Sequence, residues 1–465
     1  MRNIVCLLSL LALVPAQDDP LEEGSDSLKL YALHCSPCHG PRGRGDGPGG
    51  RFLDPPPRDL RAGPFRLVST LNGRPSDKDL HEAIAAGIPG TAMLPFAHLG
   101  ERKVRTLVEV VRAFSKRGLE ELYKDDVQSD DELRELVQSQ AAPGELIPRG
   151  PETPDTIDSR ARGRLRYMQM CAACHGADGR GTAMPVDPTA PEAKIPPRNL
   201  TEGVMKGGIE SMSLFNRIRA GMPGSAMPAV TADALGDDGV WDIVHYLRSI
   251  IPAGAQALHS PMGWRMFVPK VEGELPTDFD DPRFAEARDV HIALAPFRAA
   301  EFTVRGIIVR AIHDGTHVIF RAKYADATRD VPGAKHPFPP DGLAARVTNY
   351  KVPPVLPIPG LPLPLDRAMW LAGAMPDEKD PVFDHVEPRF LNPDRVCISP
   401  IGPEHVGRGT WRDRTWSVLL PVKPERGGRV ESGGTMGVSF AVFDGNLRRG
   451  PLPVAFSPWQ TLVFE

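Results

Sequence analysis

Cys35-Ser36-Pro37-Cys38-His39 and Cys171-Ala172-Ala173-Cys174-His175 repeat one arrangement, a Cys-x-x-Cys pair followed at once by a histidine. One helical turn carries both thiols to the same side, and the next residue sets an imidazole beside them. Such a set can bond the two vinyl groups of one porphyrin and bind its iron from one face, which is what haem c attachment requires. Two other chemistries use the same residue types. A zinc ribbon would bring both pairs to one metal. A thioredoxin-like redox pair would need a surrounding βαβ pattern. Here each pair sits in its own complete repeat and no βαβ pattern surrounds it. The reading is therefore two covalent haems, attached through Cys35, Cys38, Cys171 and Cys174.

An iron held by His39 or by His175 needs a ligand on its other face. Met93 and Met227 occupy matched positions, each after a Gly-containing turn and shortly before Pro95 or Pro228. A thioether stabilises ferrous iron and so raises the potential. Methionine is more often core filling, but the positional match between the repeats favours ligation. Met222 could compete at the second site, yet its counterpart in the first copy is Ile88. His98 and His245 do not correspond to each other. His34 adjoins Cys35 and is expected on the wrong side of the ring. Arg58 and Arg198 each stand between a proline and Asp/Asn-Leu. They could pair with haem propionates or be surface arginines of a loop, and the sequence leaves both open.

The elements that must position these residues also come in duplicate. Pro57-Arg58-Asp59-Leu60 returns as Pro197-Arg198-Asn199-Leu200. Ala86-Gly87-Ile88-Pro89-Gly90-Thr91-Ala92-Met93 returns as Ala220-Gly221-Met222-Pro223-Gly224-Ser225-Ala226-Met227. With the cysteine motif, three blocks recur in one order, the mark of a duplicated domain. Helices are expected ahead of the cysteines, over Ser27 to His34 and Arg162 to Met170. They are expected again at the ends, over Glu101 to Lys116 and Val240 to Ile250, where apolar residues recur at helical spacing. Between them run Gly- and Pro-rich loops, and a small helical domain of that kind has room for a large buried group. The segment 119–158, acidic and then Pro-rich, reads as a linker whose front half is a short solvated helix.

These blocks resemble the class I cytochrome c family, over residues 24–118 and 159–252. The resemblance implies His39 and His175 as proximal and Met93 and Met227 as distal iron ligands. One departure is Leu94 between Met93 and Pro95, where the second copy has Met227-Pro228 directly.

Beyond a second linker, 253–283, the pattern changes. Val304 to Val309 and His317 to Ala322 flank the turn Asp314-Gly315. Thr415 to Val422, Met436 to Phe443 and Gln460 to Phe464 are further strands, and Asp444-Gly445 is another turn. Asp341 to Asp384 reads as a long Pro-rich loop. The expected fold is multidomain: two all-α cytochrome c domains, then an all-β, sandwich-like domain over 284–465. Val290 to Pro296, Ala311 to Arg321, Tyr324 to Thr328, Trp416-Ser417-Val418, Phe440 to Gly445 and Ser457-Pro458-Trp459 resemble the haem b-binding domain of the ethylbenzene dehydrogenase γ-subunit family. That resemblance implies haem b between a Met and a Lys, and a molybdenum oxidoreductase as partner. Met375, or else Met369, matches the Met. Pro453 to Phe456 stand where the Lys is expected, so the reading is that no haem b is tightly held. His291, His313, His317, His336 and His385 read as core or solvated histidines. Trp411, Trp416 and Trp459 read as core.

Bulk properties set bounds on all this. The chain has 465 residues and a formal net charge of -4, so no basic field draws nucleic acid. Arg2, the apolar run Ile4 to Val14 and Val14-Pro15-Ala16 read as a signal peptide, 1–16, and so as export to a bacterial periplasm. That run is shorter than the roughly 20 residues that span a bilayer. No later segment reads as membrane-spanning. The function expected is periplasmic electron transfer between redox partner proteins, as a carrier or as the relay subunit of a respiratory complex. The alternative is a haem enzyme, such as a dihaem peroxidase or a small-substrate dehydrogenase. That would need an open iron site, and two intact methionines oppose it. A third reading makes the β domain a binding module.

Overall fold

Local capping sets where the helices begin. Ser25 accepts from the Leu28 N–H at the start of α1 (Asp26–His34), and α2 (Ser36–His39) is the short turn of the first motif. Ser76 and Asp79 form a reciprocal capping box on α3 (Asp77–Ala86). The long helix α4 (Glu101–Tyr123) buries Val104, Leu107, Val108, Val111 and Phe114 on one face. Ser129 caps α5 (Asp130–Ala141), and Thr156 with Ser159 boxes α6 (Ile157–Met170). Next come α7 (Ala172–His175), α8 (Ser211–Ala220) and α9 (Asp237–Ser249). The computed structural model describes residues 19–50, 53, 55–61, 64–181, 197–251, 265–274, 276–296, 304, 306–330, 341–349, 366–371, 407–424, 430–445 and 454–465. The 1–16 segment, Met375, His336, His385 and Cys397 lie outside the described residues.

Each helical unit has its own apolar cluster. Tyr31, Leu80, Ile84, Leu107 and Phe114 centre the first, and Tyr167, Phe215, Trp241, Ile243 and Val244 the second. In the second, α6 and α9 cross closely because residue 163 is glycine. A Cβ there would stand 1.9 Å from the Asp242 carbonyl oxygen. The crossing is locked by the nearly fully buried Asp242 carboxylate, which takes two hydrogen bonds from Arg162, each 2.9 Å, and another from Arg166.

The strands are β1 (Arg265–Val268), β2 (Val290–Ala293), β3 (Ala295–Pro296), β4 (Gly306–His313), β5 (Val318–Ala325), β6 (Gly342–Thr348), β7 (Asp366–Leu371), β8 (Arg408–Arg412), β9 (Thr415–Val422), β10 (Thr435–Phe443), β11 (Val454–Phe456) and β12 (Gln460–Phe464). They form two sheets. One runs β1-β12-β10-β11-β3, with β6 paired to β10 and β7 to β6; the other runs β2-β4-β5-β9-β8. Inner faces of both sheets share one core, in which Phe320 and Phe440 meet edge to face at 5.2 Å. Helical units followed by a two-layered β domain are thus the architecture.

Several expectations are corrected. The supposed loop Asp341 to Asp384 holds β6 and β7; its prolines flank β7 and leave the strand itself free to pair. The supposed linker 253–283 holds β1, which pairs in parallel with β12 and so belongs to the sandwich. Helix α4 runs past residue 118 to Tyr123. In the segment 119–158 the solvated helix is α5, and the chain beyond it is not a bare spacer. Ile147 donates to the Ser69 carbonyl, Leu71 donates to that of Glu145, and Ile147 is buried in the second unit's core. Strand β10 loses its alternation near its end. Phe440 and Val442 face the sandwich, while Ala441 and Phe443, with Trp459, pack on the first helical unit.

Because the helix crossing depends on a missing Cβ, Gly163→Val is expected to lower stability by about 3 kcal/mol or more. Thermal denaturation followed by circular dichroism would register it as a clear drop in Tm. An unchanged Tm would mean that α6 and α9 do not cross at residue 163.

Candidate functional site

Each Cys-x-x-Cys-His segment hangs on the helix before it. Cys35 N–H donates to Tyr31 O and Cys171 N–H to Tyr167 O, each at 2.8 Å. The tyrosine hydroxyls donate back to the motif's end, Tyr31 to Gly40 O at 2.8 Å and Tyr167 to Gly176 O at 2.7 Å. The main chain then loops over the histidine. Gly45 donates to His39 O and Gly181 to His175 O, each at 2.8 Å. Both glycines have positive φ, and a Cβ on either would strike the proline carbonyl opposite, Pro57 O at 2.5 Å or Pro197 O at 2.3 Å.

That fold-over places a carbonyl against each imidazole. His39 Nδ1 lies 2.9 Å from Arg58 O, and His175 Nδ1 lies 3.2 Å from Arg198 O. A ring whose Nδ1–H is held by a carbonyl carries its free electron pair on Nε2, the form that binds a metal. Burial lowers the pKa of both histidines, which favours the neutral ring.

The Gly-x-Pro-Gly loops are equally alike. Ile88 donates to Met93 O at 2.9 Å, and Met222 to Met227 O at 3.1 Å. Thr91 and Ser225 hydroxyls donate to the carbonyls of Ile88 and Met222, each at 2.7 Å, and accept from the N–H of Met93 and Met227. Three residues beyond the methionines, Phe96 donates to Ile84 O and Val230 to Ile218 O. The register is the same in both, so Leu94 is a substitution for Pro228 and not an insertion. Met222, whose main chain closes the loop on Met227, holds the position of Ile88.

In the first unit these residues enclose a cleft of about 1490 Å³, solvent at its mouth included. Cys35, Cys38, His39 and Met93 all line it, with Leu80, Ile84, Leu107 and Phe96 as apolar walls. Burial pushes the Cys35 and Cys38 thiols up to about 12 and Cys171 to about 11, so these sulfurs stay protonated at neutral pH. Among the described residues the two cysteine pairs do not meet in one ligand cluster, which is against a shared zinc. His34 also lines the cleft. It ends the same helix from which the motif hangs. His98 stacks on Phe96, and His245 is buried with Nδ1 on the Ser159 hydroxyl.

The two units meet through these same loops, reciprocally. Arg198 of the second donates to Gly90 O of the first at 3.3 Å. Arg58 of the first lies against Gly224 of the second. Both arginines are half-buried where the units join, so neither is a plain surface arginine. Sequence reasoning missed two further cations. Lys206 of the second unit reaches into the first unit's cleft, and Arg66 lines it as well. Lys206 is pushed down to about 7, first by burial and then by the positive charges of Arg66, Arg198 and Arg58. The Arg66 Nε is buried without a hydrogen-bond partner. Arg58 is lowered to about 10, mainly by burial. Arg58, Arg66 and Lys206 thus line an apolar cleft, with Arg198 near enough to act on the lysine, and that cleft suits a flat apolar group with carboxylates on one edge. No local sequence signal singles out Lys206, because its contact crosses between units, and Arg66 stands outside the repeated motifs.

Residues 158–247 match the family described as cytochrome c oxidase, cbb3-type, subunit III. The second helical unit is therefore a cytochrome c domain, and haem c is the group such a domain implies. No curated protein matches the chain. Among solved structures, a reducing HAO-like protein complex of Kuenenia stuttgartiensis is 27% identical, with a TM-score of 0.40 over 51% of this chain and 100% of that one. A family 9 carbohydrate-binding module of Caldicellulosiruptor kristjanssonii, in complex with cellotriose, is 8% identical, with a TM-score of 0.29 over 43% of this chain and 93% of that one. Overall superposition is slight in both.

The tyrosine bond that ties each motif to its helix is buried. Tyr167→Phe removes one of the two donors to the Gly176 carbonyl, the other being the Gly179 N–H at 3.1 Å, and is expected to cost about 0.5–1.5 kcal/mol. Denaturant titration would show a lower midpoint at an unchanged slope. No change in midpoint would mean that the hydroxyl bond adds nothing to the one from Gly179.

Proposed function

We propose that this chain is an exported dihaem cytochrome c that passes electrons between redox partners through two adjacent haems. The observation that carries the reading is the identity of the two hydrogen-bonded skeletons, down to the carbonyl on each histidine Nδ1 and the loop around each methionine. What one unit does chemically, the other is built to do. Cys35 and Cys38 would hold one haem and Cys171 and Cys174 the other, with His39 and His175 as proximal and Met93 and Met227 as distal ligands. Arg58, Arg66, Arg198 and Lys206 would face the propionates.

The haem supplies one-electron chemistry at its iron when bound. The protein's own part is orientation and electrostatics. The carbonyls of Arg58 and Arg198 fix the imidazole tautomer. The Thr91 and Ser225 hydroxyls brace the methionine loops, and Met93 and Met227 would be the second ligands of their irons. Irons so held would favour electron transfer over substrate binding. The nearby positive charges would favour the reduced state, because reduction removes one positive charge. The reciprocal contact of Arg58 and Arg198 with the opposite loop sets the Gly-x-Pro-Gly loop of each unit against the arginine of the other, which suits a relay between two neighbouring haems.

The N-terminal pattern supports export to the periplasm. No helix among the described residues is long and apolar enough to cross a membrane. The β domain packs Phe443 and Trp459 on the first unit, leaving the second away from that contact. By its resemblance to the γ-subunit family, the partner proposed is a molybdenum oxidoreductase.

Mass spectrometry of the protein matured with the haem c machinery tests this. The wild-type chain is expected to carry two covalent haems, and Cys35→Ala with Cys38→Ala to carry one. Cys171→Ala with Cys174→Ala is likewise expected to keep one. A wild-type chain with a single covalent haem would overturn the dihaem reading.

A further inference from the structure

Asp326, Asp341 and Asp444 lie far apart in the sequence, yet one carboxylate oxygen of each lies within 4.8 Å of the others. All three residues are buried, with 2%, 0% and 2% of their surfaces exposed. Asp326 directly follows β5 of the five-stranded sheet. Asp341 directly precedes β6, and Asp444 directly follows β10, both of the seven-stranded sheet. We propose that these three aspartates bind one calcium ion, which ties the two sheets together at this end of the sandwich.

Two independent features point to a ligand. Asp326 Oδ2 is buried without any hydrogen-bond partner, although Oδ1 of the same carboxylate accepts from the Thr328 N–H at 3.1 Å. A buried carboxylate oxygen with no donor is costly, and a cation is the partner that removes the cost. The second feature is how the neighbour is held. Asp341 accepts from the Gly445 N–H at 2.9 Å, the Asp330 N–H at 2.7 Å and the Trp416 indole at 3.1 Å. Those donors fix the carboxylate in place, as outer contacts fix metal ligands.

An all-oxygen set selects a hard cation and not zinc or copper. Oxygens that all lie within 4.8 Å of one another fit around one calcium at about 2.3–2.6 Å, whereas magnesium dehydrates reluctantly and is seldom held by an all-protein cage. Burial of three neighbouring carboxyl groups favours their protonated forms where no cation is bound. Asp326 is pushed up to about 7 and Asp341 to about 6, by burial first.

The experiment uses the full haem-loaded chain, dialysed against chelator and then against calcium chloride or magnesium chloride at pH 7.5. Elemental analysis is expected to find one calcium per chain after removal of free ion. The Tm should rise by roughly 5 °C with calcium, and much less with magnesium at the same concentration. Asp326→Asn should lose both the bound calcium and the Tm rise. Its Tm in chelator should equal or exceed that of the wild type, since one buried charge is gone. Asp444→Asn is the second variant should the first not fold. No retained calcium and no Tm shift would overturn the proposal, as would a shift that both ions give equally and Asp326→Asn keeps.

Discussion

Everything about the helical half depends on a histidine that has only one nitrogen to offer. The Arg58 carbonyl holds Nδ1 of His39 and the Arg198 carbonyl holds Nδ1 of His175. For that carbonyl to arrive, the chain must leave the motif, fold over it and return. Gly45 and Gly181 make the fold possible, because no side chain fits between them and the proline carbonyls. Leu60 and Leu200 close the same loop through the carbonyls of Gly43 and Gly179, each at 2.7 Å. The held imidazole and the folded-back loop thus require each other.

The second constraint is charge. Arg58, Arg66, Arg198 and Lys206 converge where the two units meet, and the lysine's own affinity for its proton is weakened by the others. Like charges do not gather beside an apolar cleft without anions to receive. The same physics appears with the opposite sign in the β domain, where buried aspartates collect at one end of the sandwich. The first cluster would fit the carboxylates of a group held in the first unit's cleft, and the second would fit a cation.

Much of this was legible in the sequence. The repeated motifs gave the duplicated helical units, and period-two runs flanking Asp314-Gly315 gave β4 and β5. The rest depended on distance along the chain. Strand β1 is four residues long and pairs with the far C-terminus, so no local pattern announces it. Strand β7 lies between Pro-rich stretches that dominate any reading of composition. Asp326, Asp341 and Asp444 look like ordinary loop residues until the sandwich brings the three together. Lys206 carries no motif, and its role exists only because the second unit leans into the first. Met369 and Met375 illustrate the opposite case: resemblance singles them out, but Met375 lies outside the described residues.

The central claim is that one chain holds two haem irons with both axial positions filled. A potentiometric titration followed by visible absorption tests it most directly. Two electrons per chain are expected, and in the oxidised protein the weak sulfur-to-iron band near the red end of the spectrum, which Met93→Ala and Met227→Ala each diminish. Uptake of a single electron per chain, or a spectrum untouched by both substitutions, would contradict it.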